Sequence, residues 1–196
     1  MFLVVEMPGG ESLNKMILII NVCKEKLHYY EFVKPIEDML KNNDIKFFTK
    51  NYKDVTKKNL KKADGVIMCG TSLKDNEFLK DINKFDWIKT FDKSILGICA
   101  GMQIIGLAFG GKIKKSTEIG FYFENFKNKL FGLSGEQEVY HLHNNFVDFG
   151  RMKDFEVICQ RNSIPQAVKH KNKEIYGVLF HPEVRQKSLI LSFSKI

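Results

Sequence analysis

The sequence predicts an α/β fold in which a parallel central sheet, flanked by helices, continues into an antiparallel extension. In the first half, short β-branched runs, apolar on both faces, alternate with amphipathic stretches, which is the texture of parallel strands covered on both sides with right-handed crossovers. In the second half, strand candidates follow one another with only turn residues between them. No internal repeat, low-complexity tract or linker separates the two textures, so both belong to one domain.

The first strand is "MILIINV" at 16–22, followed by Phe32, Val33, Ile36, Met39 and Leu40 at helical spacing and by the strand "IKFFT" at 45–49. A polar helix around "KKNLKK" precedes the strand "DGVIMCG" at 64–70. A helix carrying Phe78, Leu79, Ile82, Phe85 and Trp87 then leads to the strand "SILGI". Beyond residue 112 the strand candidates are "IGFYFEN", "EVYHLH", "FEVICQ", "IPQAVKH" and "IYGVLF". The first fifteen residues, "MFLVVEMPGGESLNK", precede the first strand and are expected to be a disordered extension, an appended remnant or translation from an upstream start, leaving a single domain over 16–196.

The chain of 196 residues is 44% hydrophobic and 28% charged, and no apolar run is long enough to cross a bilayer. No basic segment precedes the early apolar patch and no small-residue cleavage site follows it, so a secretory signal is not indicated and a cytoplasmic setting is expected. The net charge of +8 is spread over "KNNDIK", "KKNLKK" and "KHKNK" without interleaved aromatics, which reads as a solvated surface and not as a nucleic-acid footprint. Cys23, Cys69, Cys99 and Cys159 lie far apart with no C-x-x-C pair, which argues against a zinc ribbon or a disulfide framework.

One cysteine stands apart. "GICAG" at 97–101 places Cys99 between a buried strand and the helix former "AGMQIIGLAFGG", in the pattern of a nucleophile elbow. The glycines remove side chains that would collide at so tight a turn, and the dipole at the helix start favours a thiolate. A base is required, and "FHPEV" supplies one: Pro182 drives the chain to an extended form, which puts His181 and Glu183 on the same side of the backbone. A thiol, an imidazole and a carboxylate that orients the imidazole form a nucleophile triad in the order Cys99, His181, Glu183. In a parallel sheet, sites gather at the carboxyl ends of the strands, where residues 70, 99 and 181 are all expected.

With the elbow and F-H-P-E together, the chain from about Met16 onward resembles the class I (triad) glutamine amidotransferases. The "FHPEV" ending and the preceding "YGV" look most like the free-standing glutaminase subunits of archaeal GMP synthases, and "EIG" at 118–120 is shared with other relatives. The resemblance implies a flavodoxin-like sheet, glutamine as substrate, a γ-glutamyl thioester on Cys99, and ammonia passed to a separate synthetase subunit, GMP synthesis being the first choice. No cofactor and no metal are expected. His181 becomes general base and acid, and Glu183 orients it.

The oxyanion donors implied by the resemblance are the Ala100 N–H and the turn at Gly70 and Thr71. In "CGTS" Gly70 is kept, while Thr71 and Ser72 replace a glycine and a proline of the family, so the hole is expected to need a partner to set it if that turn must reach positive φ. Gln103 matches a glutamine that contacts substrate, His143, Asn144 and Asn145 occupy the segment that grips its α-amino and α-carboxylate groups, and Glu118 and Gly120 match a pair lining the pocket. His141 and His143 share one face of a strand, but no third metal ligand follows at a recognisable spacing. The competing readings are a thiol hydrolase or DJ-1-like protein using the same elbow, and a non-catalytic regulatory subunit that retains the fold.

Overall fold

The structure is a computed structural model and describes residues 15–196. All of the expected N-terminal extension except Lys15 therefore lies outside the described residues. Among the described residues, nine strands form one sheet: β1 (Met16–Asn21), β2 (Lys46–Asn51), β3 (Gly65–Met68), β4 (Ser94–Ile98), β5 (Ile113–Leu130), β6 (Leu133–Val147), β7 (Phe155–Arg161), β8 (Ile164–His170) and β9 (Ile175–Val178). Their order is β2-β1-β3-β4-β9-β8-β7-β5-β6. The strands from β2 to β9 pair in parallel, and from β9 to β6 every pairing is antiparallel. The predicted parallel sheet with an antiparallel extension is thus the observed one.

The parallel strands are apolar on both faces because both faces are covered. On one side Ile17, Ile19, Ile67, Leu96 and Ile98 pack with Val33, Ile36 and Leu40. These belong to a helical segment that runs from α1 (Lys26–His28) through a π-helical turn at Tyr29–Val33 into α2 (Lys34–Lys41). On the other side Leu18, Ile20, Val66, Met68 and Ile95 meet Met102 and Ile105 of α4 (Ala100–Ala108), together with Phe78, Phe85 and Ile88. The polar helix α3 (Lys57–Lys62) is opened by a capping box between Thr56 and Asn59.

Three elements add to or differ from the sequence expectation. The helix expected around Phe78 to Trp87 spans Glu77–Lys89 and winds as 3₁₀ turns, with a break at Asp81. Leu79, Ile82, Phe85 and Ile88 recur at a strict interval of three, the 3₁₀ period, so the tighter winding keeps them on one side. Strands β5 and β6 form one long hairpin, far longer than "IGFYFEN" and "EVYHLH", closed by Phe131 (φ 46°) and Gly132 (φ 95°). Two successive left-handed residues make the turn whose twist suits a hairpin. A last helix, α5 (Lys187–Phe193), buries Leu189, Ile190 and Phe193 against the first core layer; it was not anticipated.

Candidate active site

Strands β3, β4 and β9 are neighbours, and each delivers one site residue just past its carboxyl end: Gly70, Cys99 and His181. Cys99 is the hinge between β4 and α4, with φ 48° and ψ −101°. This strained corner is anchored by two backbone bonds, Cys99 N–H to the Val178 carbonyl at 2.8 Å and Gln103 N–H to the Cys99 carbonyl at 3.1 Å. It also needs its glycines. A Cβ on Gly97 would lie 2.5 Å from the carbonyl carbon of Gly101, and one on Gly101 would lie 2.4 Å from the Met68 carbonyl oxygen. Without side chains there, α4 can sit against the sheet and raise Cys99 at its edge.

His181 is buried beside that corner. A methyl group on Gly70 would stand 2.5 Å from His181 Cε1 and 3.3 Å from Cys99 Cβ, so ring and thiol flank the same point in space. Nδ1 of His181 lies 2.6 Å from Glu183 Oε1, while Nε2, also buried, has no hydrogen-bond partner among the described residues. The Phe32 ring packs on the imidazole at 5.3 Å. Burial acts to lower the imidazole pKa, yet the Glu183 carboxylate and Cys99 facing the ring outweigh it and hold it well above the ordinary value. The Cys99 thiol itself points to the Leu142 carbonyl at 3.7 Å.

The other three cysteines have no such setting. Burial pushes the Cys23 and Cys159 thiols up to about 12 and Cys69 well above its ordinary value, which disfavours the thiolate at all three.

Cys99, Ala100, Gln103, Thr71, His143, Asn144 and Asn145 line one cavity of about 20 Å³, room for roughly one water. Ala100 opens α4, so its N–H is among those that have no acceptor within the helix. Gln103 is buried and donates to the Asn145 carbonyl at 3.1 Å. Asn144 donates to the Leu73 carbonyl at 3.2 Å, and Asn145 to Asn76 Oδ1 at 3.4 Å, so β6 grips the 71–76 loop across the cavity.

A family model for class-I glutamine amidotransferases matches residues 28–190. The chain belongs to that family. Among related proteins, the A subunit of the glutamine-hydrolyzing GMP synthase of Methanobrevibacter smithii is 37% identical over 108 residues, 52% of this chain and 56% of that protein. Its counterpart of the same name in Picrophilus torridus is 32% identical over 130 residues, 62% of this chain and 68% of that protein. Among solved structures, a provisionally assigned A subunit of GMP synthase from Thermoplasma acidophilum superposes with a TM-score of 0.80, at 22% identity, covering 92% of each chain. A glutamine amidotransferase from Thermotoga maritima gives 0.69 at 21% identity, over 89% of this chain and 79% of that one. These two likenesses establish the fold.

Within this amidotransferase fold, two residues expected at the pocket stand elsewhere. Glu118 does not line the cavity: it is buried behind β6, 2.9 Å from His143 Nε2, 3.1 Å from the Gln166 amide that donates to it, and paired with Arg161. The side chains of β5 alternate in direction, and Glu118 falls on the inward side of the sheet. Gly120 also lies outside the cavity lining; it adopts φ +115° in the hairpin, with open space where a Cβ would be.

Sequence reasoning missed Asp75. It is buried four residues beyond Thr71 and accepts the Lys24 N–H at 2.7 Å and the Thr71 hydroxyl at 2.8 Å, with His28 Nδ1 at 3.4 Å. Gly70, Thr71 and Ser72 all keep negative φ, so the turn rests in an ordinary conformation fastened by this carboxylate. An aspartate inside the polar run "SLKDNE" carries no signature that would single it out.

Proposed function

We propose that this chain hydrolyses the side-chain amide of glutamine through Cys99, His181 and Glu183, and passes the ammonia to a separate synthetase subunit that makes GMP. The observation that carries the reading is a carboxylate-held imidazole whose other nitrogen is buried without a partner and adjoins a cysteine on a strained elbow. The relatives named as A subunits of GMP synthase support the choice of acceptor. A cytoplasmic setting goes with this role; no described helix is long and apolar enough to cross a membrane.

The Cys99 sulfur attacks the amide carbon, and the carbonyl oxygen takes the negative charge toward the Ala100 N–H at the start of α4. His181, protonated because of Glu183, delivers the proton from Nε2 to the departing nitrogen, and ammonia leaves a γ-glutamyl thioester on Cys99. The neutral ring then takes a proton from the attacking water, the carbon–sulfur bond breaks, and glutamate leaves with the Cys99 sulfur and the protonated imidazole restored. Gln103 and the 143–145 segment line the cavity where the amino-acid end of the substrate fits.

Glutamine is far larger than a cavity of about 20 Å³, so it enters only after the 71–76 loop moves away from β6. The Thr71 to Asp75 hydrogen bond opposes that movement. In this reading the synthetase opens the loop and completes the oxyanion hole from Gly70 and Thr71. Glutamate release is measured for the free chain and for the chain with a GMP-forming synthetase subunit. Release that rises strongly in the pair is expected; none in either condition, with Cys99 intact, overturns the proposal.

A further inference from the structure

Behind the substrate-gripping strand lies a buried polar cluster that, apart from His143 at the cavity wall, the proposed reaction does not use. Glu118 and Glu124 of β5, His141 and His143 of β6, Arg161 of β7 and Gln166 of β8 converge there. His141 Nε2 sits 3.0 Å from Glu124 Oε1, so that nitrogen carries a proton, and in the neutral ring Nδ1 keeps its lone pair. Nδ1 has no hydrogen-bond partner among the described residues, is shielded from solvent, and faces Glu118 Oε2 at 3.7 Å. A lone pair aimed at a carboxylate oxygen in a dry interior is unfavourable unless a cation stands between them.

The charges point the same way. Two carboxylates are matched by one guanidinium, since Arg161 pairs with both Glu118 and Glu124.

We propose that Glu118, His141 and His143 form a binding site for a divalent transition-metal ion of the zinc class. Their ligand atoms lie within 4.8 Å of one another. Two donors of one tetrahedral zinc, each about 2.1 Å from the ion, stand roughly 3.4 Å apart. Glu118 Oε2 is 2.9 Å from His143 Nε2 and 3.7 Å from His141 Nδ1, on either side of that value, so binding needs sub-ångström adjustment and loss of the proton between His143 and Glu118. Glu124 supplies the carboxylate behind a ligating imidazole that commonly orients it. Gln166 offers a fourth donor: its Oε1 is buried without a partner, and a half-turn of the amide brings an oxygen to about 3.1 Å from Glu118 Oε2. The ion ties β5 to β6 directly behind Leu142, whose carbonyl touches Cys99, and so stiffens the strand that lines the cavity.

The test uses the full chain carrying Cys99→Ser, freed of metal with a chelator, so that neither the reactive thiol nor the proposed activity enters the readout. Titration with Co²⁺ is expected to end at one equivalent, with the visible bands of a four-coordinate nitrogen and oxygen site, and Zn²⁺ displaces it. Zn²⁺ at a hundredfold excess over its Kd raises Tm by roughly 5 °C. His141→Gln and Glu118→Gln each weaken binding at least tenfold and abolish that rise. Should both variants fail to fold, zinc-edge X-ray absorption on the unsubstituted cluster decides, with two imidazoles expected on the ion. No stoichiometric binding, binding through sulfur, or fewer than two imidazoles overturns the proposal and leaves the cluster holding only a proton.

Discussion

Cys99 is held at φ 48° and ψ −101°, a backbone state that costs a non-glycine residue about 1–3 kcal/mol, and the bonds from Val178 and Gln103 hold it there. Gly70 provides the room beside it: a methyl group at that position would press on His181 Cε1 at 2.5 Å. Gly70→Ala is therefore expected to leave the fold intact and lower kcat about a hundredfold by displacing the ring, measured as glutamate release with the synthetase present. Glu183 sets the charge on the same imidazole. Because the folded pKa of His181 lies above its ordinary value of 6.5, the stability it contributes is complete below that pH and drains as pH rises through the folded value. Chemical denaturation across pH should show that alkaline decline in the natural chain and a flatter profile in Glu183→Gln; equal profiles contradict the assignment. At this scale the sequence was informative where chemistry restricts spacing. Glycines on both sides of a cysteine, and a histidine two residues before a glutamate across a proline, are readable without coordinates. The inward direction of Glu118 is not legible in the sequence, because it depends on the pleat of a hairpin whose partner strand comes later in the chain.

Between elements, the 71–76 loop and strand β6 face each other across the cavity. Asp75 fastens Thr71, while Asn144 and Asn145 hold Leu73 and Asn76. Thr71→Gly removes the hydroxyl and the β-branch together, and the free chain is expected to release glutamate several-fold faster than the natural one. An unchanged or lower rate, with the fold retained by circular dichroism, shows that the threonine does not restrain the turn. On the other side of β6, Arg161 is the counter-charge to Glu118 and Glu124. Arg161→Leu leaves two buried carboxylates facing each other without it, and a loss of about 3 kcal/mol in urea denaturation is expected. The sequence could not disclose this network, because its members come from four strands separated by as many as 48 residues. The 3₁₀ segment is a different case: a helix is legible there, and the interval of three that sets its tighter winding is present in the sequence.

Across the whole molecule, the parallel half builds the platform and the antiparallel half builds the wall of the site. The platform was legible because strands buried on both faces leave uninterrupted apolar runs, as in "SILGI", which matches β4 residue for residue. The wall was legible in kind but not in extent, since half-exposed strands such as β5 alternate too irregularly for their ends to be read. Topology then places three consecutive carboxyl ends together, and with them residues 70, 99 and 181. All of this requires Cys99 to react as a thiol that recognises glutamine. Mass spectrometry after exposure to a glutamine-mimicking electrophile such as acivicin, with the synthetase present, tests this most directly. One adduct is predicted, on Cys99, blocked by excess glutamine and absent from Cys99→Ser. No adduct, or one carried by Cys23, Cys69 or Cys159, would contradict it.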